Sequence, residues 1–131
     1  MNRSVVMKGP GGAVLLLDSI TRVAPEDAGA IVVSASHGGV SSATFALEVP
    51  LKAVFFNDAG VGKDAAGIAA LEMLQARGVP CGTVAHTSAR IGDAADTWAC
   101  GVLSHLNACA RGLGLAEGEG LREAVGRLVS R

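Results

Sequence analysis

The sequence predicts an α/β fold: a three-layer sandwich around a mostly parallel, mixed sheet of Rossmann-like or flavodoxin-like type, with an N-terminal β-hairpin. Three short apolar runs carry this prediction, namely AIVVSAS (30–36), KAVFFND (52–58) and PCGTVAH (80–86). None of them alternates apolar with polar residues, which is typical of strands buried on both faces of a sheet. A segment of helical character follows each run, and this alternation indicates right-handed βαβ units on a parallel sheet.

Turn and capping residues predict the remaining elements. SVVMK (4–8) and AVLLLDS (13–19) flank GPGG and form the predicted hairpin. Four helices are predicted: one starting at Ser41 or Ser42 and ending before Pro50, one over 64–78 with Asp64 as its N-cap, a long one over about 93–111, and one over 118–131. Apolar residues recur at helical spacing through the long helix.

Length and composition set the broad class of the protein. A chain of 131 residues predicts a single domain spanning 1–131. Half of the residues are apolar and no run approaches the ~18 apolar residues of a membrane span, so the surplus apolar surface predicts a homo-oligomer. Charge and cysteine content address partners and location. A net charge of −1 and only four aromatic side chains argue against a nucleic-acid partner. Three cysteines without CxxC spacing, and no apolar leader, predict a cytoplasmic protein.

Three consecutive strand-to-helix loops hold the candidate site. They are SHGG (36–39), NDAGVGKD (57–64) and HTSARIGD (86–93). Loops of this kind emerge together at the carboxyl ends of parallel strands, where α/β folds bind their ligands. The connections at the opposite edge, EVPLK and ARGVP, carry plain turn residues.

The second loop resembles a phosphate-binding loop but departs from the motif at both ends. Asn57 stands where a Walker A motif has its first glycine, and Asp64 stands where it has Ser or Thr. The glycines also miss the dinucleotide spacing GxGxxG. We therefore expect Gly60, Gly62 and Lys63, with Asn57, to hold a small carboxylate or phosphate rather than a nucleotide. The alternative is that Lys63 is solvated and the glycines only turn the chain.

His37 and Asp58 are the predicted catalytic residues. A histidine at a strand end can serve as a general acid or base, and Gly38 and Gly39 let a ligand approach closely. Asp58, at the tip of the middle strand, would orient His37 or share its role. The alternatives are a His37 bonded to a loop carbonyl and an Asp58 that caps loop N–H groups. A further alternative is a metal set of His37, Asp58 and His86; otherwise no metal is expected.

The third loop contributes Ser88 and Arg90 to the predicted anion site. The planar guanidinium of Arg90 can bond two carboxylate oxygens at once. Its alternative role is an ion pair with Asp93 or Asp96 at the helix start. His105 is predicted to lie on the long helix, at a packing surface rather than in the site.

The strings NDAGVGKDAAGIAAL, SARIGDAADTW and GVLSHLN, with SHGG upstream, resemble a set of bacterial small α/β proteins. The resemblance covers about Ala30 to Asn107 and implies no activity, substrate or cofactor. A looser resemblance is to the sugar-phosphate isomerases of the ribose-5-phosphate B type, whose nucleophilic cysteine loop has no counterpart here.

The predicted function is a small-molecule enzyme of isomerase, hydrolase or lyase type, acting on a carboxylate- or phosphate-bearing metabolite without a redox cofactor. Two alternatives stay open. One is a non-catalytic module that binds or senses a small anion through the same pocket. The other is a structural homo-oligomer whose loops are only turns.

Overall fold

A single six-stranded sheet organises the chain. The computed structural model describes residues 3–131, and the strands lie side by side in chain order. Their bounds are β1 Arg3–Gly9, β2 Gly12–Leu17, β3 Ile31–His37, β4 Ala53–Asn57, β5 Cys81–Val84 and β6 Leu103–Leu106. The helices are α1 Val40–Ala46, α2 Ala69–Gln75, α3 Ala94–Cys100, α4 Ala108–Gly112 and α5 Leu121–Val129.

Strand pairing confirms a mixed sheet with an N-terminal antiparallel hairpin. β2 to β5 pair in parallel, whereas β1 and β6 run antiparallel to their neighbours at the two edges. The strand order has no point at which it reverses, unlike the Rossmann order 3-2-1-4-5-6 or the flavodoxin order 2-1-3-4-5. The α/β class is therefore confirmed, and a Rossmann-like or flavodoxin-like identity is not.

Two separate cores lie on the two faces of this sheet. Val33 and Phe55 point into one core, where side chains of α3 and α5 cover them. Val32 and Phe56, their neighbours along the strands, point into the other core, which α1 and α2 cover. Neighbouring residues face opposite sides because the side-chain period of a strand is two, which explains why these runs are apolar throughout.

The predicted long helix over 93–111 is wrong. It is divided into α3, the edge strand β6 and α4. Gly101 ends α3 with an extended backbone (ψ 135°), and a Cβ at this position would lie 2.5 Å from the Thr97 carbonyl oxygen. Asn107 then starts α4, because its side chain accepts a hydrogen bond from the Ala110 N–H. Between them, Leu103 and Leu106 reach the core from a strand paired with β5.

The start predicted for the second helix is also wrong. A 3-10 segment spans Lys63–Ile68, and α2 begins only at Ala69. Asp64 caps no helix, since Asp64 and Ala65 adopt left-handed backbone conformations (φ 56° and 57°). Gly67 sets this path, because a Cβ there would come within 2.0 Å of the Asp58 carbonyl oxygen. The first predicted helix starts near its expected place, with Gly39 rather than a serine as N-cap.

Within residues 3–131, no helix has both the length and the apolar character needed to cross a membrane.

Candidate functional site

The third predicted loop crosses the whole carboxyl edge of the parallel strands. The loop leaves β5, and its Ala89 carbonyl accepts a hydrogen bond from the side chain of Asn57, the last residue of β4 (3.0 Å). Its Gly92 N–H donates to the Ala35 carbonyl of β3 (2.9 Å). Beyond the loop, the Ala94 N–H bonds the Asp18 carboxylate at the end of β2 (2.8 Å). The loop therefore runs over the strand ends instead of standing beside the other two loops.

Two residues predicted to bind the anion are occupied in holding this loop. The buried Asn57 side chain donates to Ala89 and accepts from the Ala59 N–H (2.8 Å). The Ser88 hydroxyl donates to the Ala85 carbonyl (2.7 Å) and accepts from the Val102 N–H (3.0 Å). Both polar groups are thus satisfied within the fold, and they position the loop.

Asp58 is the centre of a polar cluster where β4, β5 and β6 meet. Only 4% of the residue is exposed. One carboxylate oxygen, Oδ1, accepts the N–H groups of Gly60 (2.8 Å) and His86 (3.1 Å) and lies 3.4 Å from Nδ1 of the His86 ring. The other oxygen, Oδ2, lies 3.9 Å from Nδ1 of His105. One buried carboxylate therefore faces two imidazoles.

The two imidazoles remain open to solvent. The exposed fraction is 52% for the His86 side chain and 37% for that of His105. The His86 ring packs against Gly60, where a Cβ would approach it to 3.4 Å. With Nδ1 turned toward Asp58, the Nε2 atom of His86 is free to exchange a proton with a ligand.

Hydrogen bonds decide the charge state of Asp58. Burial acts to raise its pKa, but the Gly60 N–H, the Ser104 hydroxyl, and the N–H and ring of His86 together lower the pKa below the ordinary aspartate value. The carboxylate is therefore ionised near neutral pH and can stabilise a positive charge on either imidazole.

The neighbouring hydroxyls do not complete a serine-hydrolase triad. The Thr83 and Ser104 hydroxyls lie 2.9 Å apart. Ser104 Oγ is 3.3 Å from Nδ1 of His105, the same nitrogen that faces Asp58. In a catalytic triad, the serine and the aspartate occupy opposite nitrogens of the imidazole, so His105 cannot pass a proton between these two.

His37 lies at a different place from Asp58. Among residues 3–131, no hydrogen bond or ion pair joins the two side chains. The His37 imidazole packs over Gly39, where a Cβ would come within 2.9 Å of the ring, and lines a cavity at the ends of β2 and β3. Gly38 is buried, and a Cβ there would lie 2.8 Å from the Gly67 carbonyl oxygen. It therefore serves close packing of the second loop.

The second loop has an unusual backbone. Ala59, Gly60, Val61 and Gly62 all have positive φ, and so do Asp64 and Ala65. Such conformations are uncommon for residues with a side chain and strained for a β-branched one such as Val61. Lys63 thus follows a strained turn and does not stand at the N-terminus of an α-helix.

The two predicted anion-binding cations are exposed on separate loops. Across the described part of the chain, neither the Lys63 ammonium nor the Arg90 guanidinium is engaged in an ion pair. The alternative ion pair of Arg90 with Asp96 is replaced by a bond from the Arg90 backbone N–H to the Asp96 carboxylate (2.9 Å).

The structure does not assemble the alternative metal set. No group of three or more His, Cys, Asp or Glu side chains in residues 3–131 is placed to hold a metal ion. Asp58 and His86 are in contact, whereas His37 lies at the separate cavity.

Sequence reasoning gave His86 only a metal role and placed His105 on a helix, so it missed their shared contact with Asp58. The signal was present in GVLSHLN: a glycine that can end one helix and an asparagine that can start the next stand six positions apart. A break there takes His105 off the helix, although it does not specify the pairing with β5.

Protein-family models, curated proteins and solved structures were compared with this chain, and none of them gives a match. The functional interpretation therefore follows from the residues of the chain itself.

Proposed function

We propose that the protein is a proton-transferring enzyme of isomerase, lyase or hydrolase type. It acts on a small carboxylate- or phosphate-bearing metabolite at the Asp58 cluster. The observation that carries this proposal is the single buried carboxylate facing two solvent-open imidazoles, His86 and His105. Isomerisation and elimination each need one group that takes a proton and one that returns it, and two histidines on one carboxylate meet that need.

Each residue has a distinct role. His86 takes the proton through Nε2, because its other ring nitrogen faces Asp58 at 3.4 Å. Asp58 fixes the orientation of the ring and stabilises the imidazolium that forms, in the way that a buried aspartate supports a catalytic histidine. His105, carrying a proton of its own, donates it to the substrate at the other side of the carboxylate, and exchange of both solvent-open rings with water then restores the starting protonation of each. The predicted partnership of Asp58 with His37 is replaced here by contacts with His86 and His105.

The exposed cations support an anionic substrate. Lys63 lies on the loop that packs against His86 through Gly60, and Arg90 lies on the loop that begins at His86. Both have free charge available for a carboxylate or phosphate, and Arg90 can bind two oxygens at once. No redox group is needed for proton transfer.

The proposal extends to assembly and location. Val5 and Val6 on the edge strand β1 are exposed, as are Val40, Ile91 and Val102. These exposed apolar side chains support a homo-oligomer, which light scattering would detect. All three cysteines are free thiols, which supports a reducing cytoplasm.

The test is a thermal-shift screen of carboxylates and phosphates, followed by turnover assays on every ligand that raises the melting temperature. Lys63→Met and Arg90→Met should weaken binding, whereas His86→Gln should remove turnover and retain affinity. Retained turnover in His86→Gln would exclude this catalytic role. Binding without turnover in the wild-type protein would instead favour the non-catalytic binding module.

A further inference from the structure

We propose that the cavity at the carboxyl ends of β2 and β3 is a second ligand site, which takes a neutral polyhydroxylated compound such as a sugar or polyol. The cavity measures about 330 Å³, near the lower end of the roughly 300–1,000 Å³ typical of small-molecule pockets. The inference is independent of the chemistry assigned to Asp58, since none of the Asp58 cluster lines this cavity.

The walls of the cavity are rich in hydroxyl groups. Its polar lining consists of one carboxylate, one imidazole and five hydroxyls: Asp18, His37, Ser19, Thr21, Ser36, Ser41 and Ser42. Side-chain hydroxyls that can both donate and accept match the surface of a polyol, whose own hydroxyls do the same. A flat apolar ligand would leave the free Asp18 oxygen and the Ser36 O–H without a partner.

Some of these groups already serve the fold, and others remain available. Ser42 donates to the His37 carbonyl (2.6 Å), and Ser19 and Thr21 share one bond (2.8 Å). Ser36 accepts from the Ile20 N–H (3.0 Å) and keeps its own O–H to donate. Asp18 uses only Oδ1, on the Ala94 N–H, so its Oδ2 can accept from a ligand hydroxyl.

The charge of the lining argues against an anionic ligand. Asp18 contributes a carboxylate to the lining, and among residues 3–131 no Lys or Arg side chain lines the cavity. A phosphate or carboxylate would meet this charge with only His37 to offset it, whereas a neutral diol can donate two bonds to a carboxylate. In this proposal His37, predicted from the sequence as a catalytic acid or base, instead binds ligand hydroxyls.

An apolar wall completes the match. Phe45 on α1 is partly buried, and Ile91 in the crossing loop is 53% exposed. Sugars combine such an apolar C–H face with a rim of hydroxyls, and aromatic side chains in ligand pockets commonly cover that face.

Isothermal titration with three neutral probes, D-ribose, D-xylose and myo-inositol, tests the proposal alongside two anionic probes, D-gluconate and ribose 5-phosphate. Asp18→Asn keeps the acceptor for Ala94 and removes the charge. We expect it to weaken neutral-probe binding about tenfold, the effect of replacing one charged hydrogen bond by a neutral one. Ser41→Phe fills the cavity and should abolish binding. Thr44→Phe, on the same helix but outside the lining, is the matched control and should bind normally.

The outcomes separate clearly. Saturable binding of at least one neutral probe, lost in Ser41→Phe and kept in Thr44→Phe, supports the site. Tighter binding of the anionic probes to the wild-type protein would overturn it, and so would the absence of saturable binding of every neutral probe. If Ser41→Phe fails to fold, an unchanged neutral-probe affinity in Asp18→Asn overturns the proposal by itself.

Discussion

Two buried aspartates show how similar burial serves different ends. Asp27 and Asp58 are 6% and 4% exposed, and in both cases hydrogen bonds overcome burial and lower the pKa. Asp27 accepts two hydrogen bonds from the guanidinium of Arg3, one of them 3.0 Å long, and a third from the Ala24 N–H (2.8 Å). Asp58 meets backbone N–H groups and two imidazoles.

The partner determines what each carboxylate can do. A guanidinium stays charged at every physiological pH, so the Arg3–Asp27 pair is a fixed clamp between β1 and the segment before β3. Imidazoles gain and lose protons near neutral pH, so the same kind of buried charge beside His86 and His105 can support proton transfer.

Backbone strain separates the two regions as well. Six of the seven residues from 59 to 65 have positive φ, four of them with side chains, and this loop directly follows Asp58. Near Asp27, only Gly29 has positive φ, where glycine carries no strain. Strained backbone is found more often at functional sites than elsewhere, which favours the Asp58 region over the Asp27 region as the candidate functional site.

The largest expected effect is on the catalysis proposed at Asp58. His86→Gln should lower turnover of the substrate found by the screen about 10²- to 10⁴-fold, the usual contribution of a general acid or base. Its stability should change by less than about 0.5 kcal/mol, because the side chain is half exposed. Steady-state kinetics and urea unfolding measure the two. If His86→Gln lost much stability and kept normal turnover, the Asp58 cluster would have a structural role like that of Asp27 rather than a catalytic one.

The next effect is on stability at Asp27. Arg3→Met keeps the side-chain volume but leaves a buried carboxylate without its cation, and should lower the free energy of unfolding by about 1–3 kcal/mol. Turnover should not change. Arg111→Met is the matched control, because its ion pair with Glu117 is exposed on both sides and should cost less than about 1 kcal/mol. Equal losses in the two variants would show that Asp27 is no clamp.

Acid should weaken both regions in the same direction. Since both folded-state pKa values lie below the ordinary 3.8, each carboxylate contributes stability that is fully present above that value. This stability is lost as pH falls from about 3.8 through the folded-state pKa. Urea unfolding at several pH values across this range gives the free energy of unfolding as a function of pH. The slope of this dependence should be smaller in Asp27→Asn and in Asp58→Asn than in the wild-type protein. An unchanged slope in either variant would mean that its aspartate is not ionised more readily in the folded state.

The smallest effect concerns strain in the loop. Ala65→Gly should raise the free energy of unfolding by about 1 kcal/mol, because Ala65 is exposed and held in a left-handed conformation (φ 57°). Ala66→Gly, next in the chain and also exposed, lies outside the positive-φ residues and should lower it by up to about 1 kcal/mol. Thermal unfolding of the two variants measures whether their stabilities change in opposite directions. A change in the same direction in both would contradict the idea that Ala65 is strained.

The sequence was sufficient for the parts of the fold that depend on local apolar pattern. The hairpin, the three buried strands and the last helix are predicted from apolar runs, turn glycines and helix caps. The edge strand β6 was missed because Trp98, Val102 and Leu106 recur at helical spacing, and pairing with β5 outweighs that local preference.

Only part of the candidate site could be predicted from the sequence, for a similar reason. Asp58 was predicted from its place at a strand end, but its partners depend on strand register. His105 reaches Asp58 because it pairs with Thr83 across β5 and β6, and no local pattern encodes that pairing. His37 was paired with Asp58 on the assumption that all the loops converge, whereas the His37 side chain lines the cavity at the ends of β2 and β3 and Asp58 faces His86 and His105.

The central claim is that an ionised Asp58 fixes His86 with Nε2 free to take a proton. Long-range ¹⁵N–¹H NMR of the imidazoles, at a pH where they are neutral, measures this directly. His86 should carry its proton on Nδ1, facing Asp58, and this preference should decrease in Asp58→Ala. A wild-type His86 protonated on Nε2, with no change in Asp58→Ala, would contradict the claim.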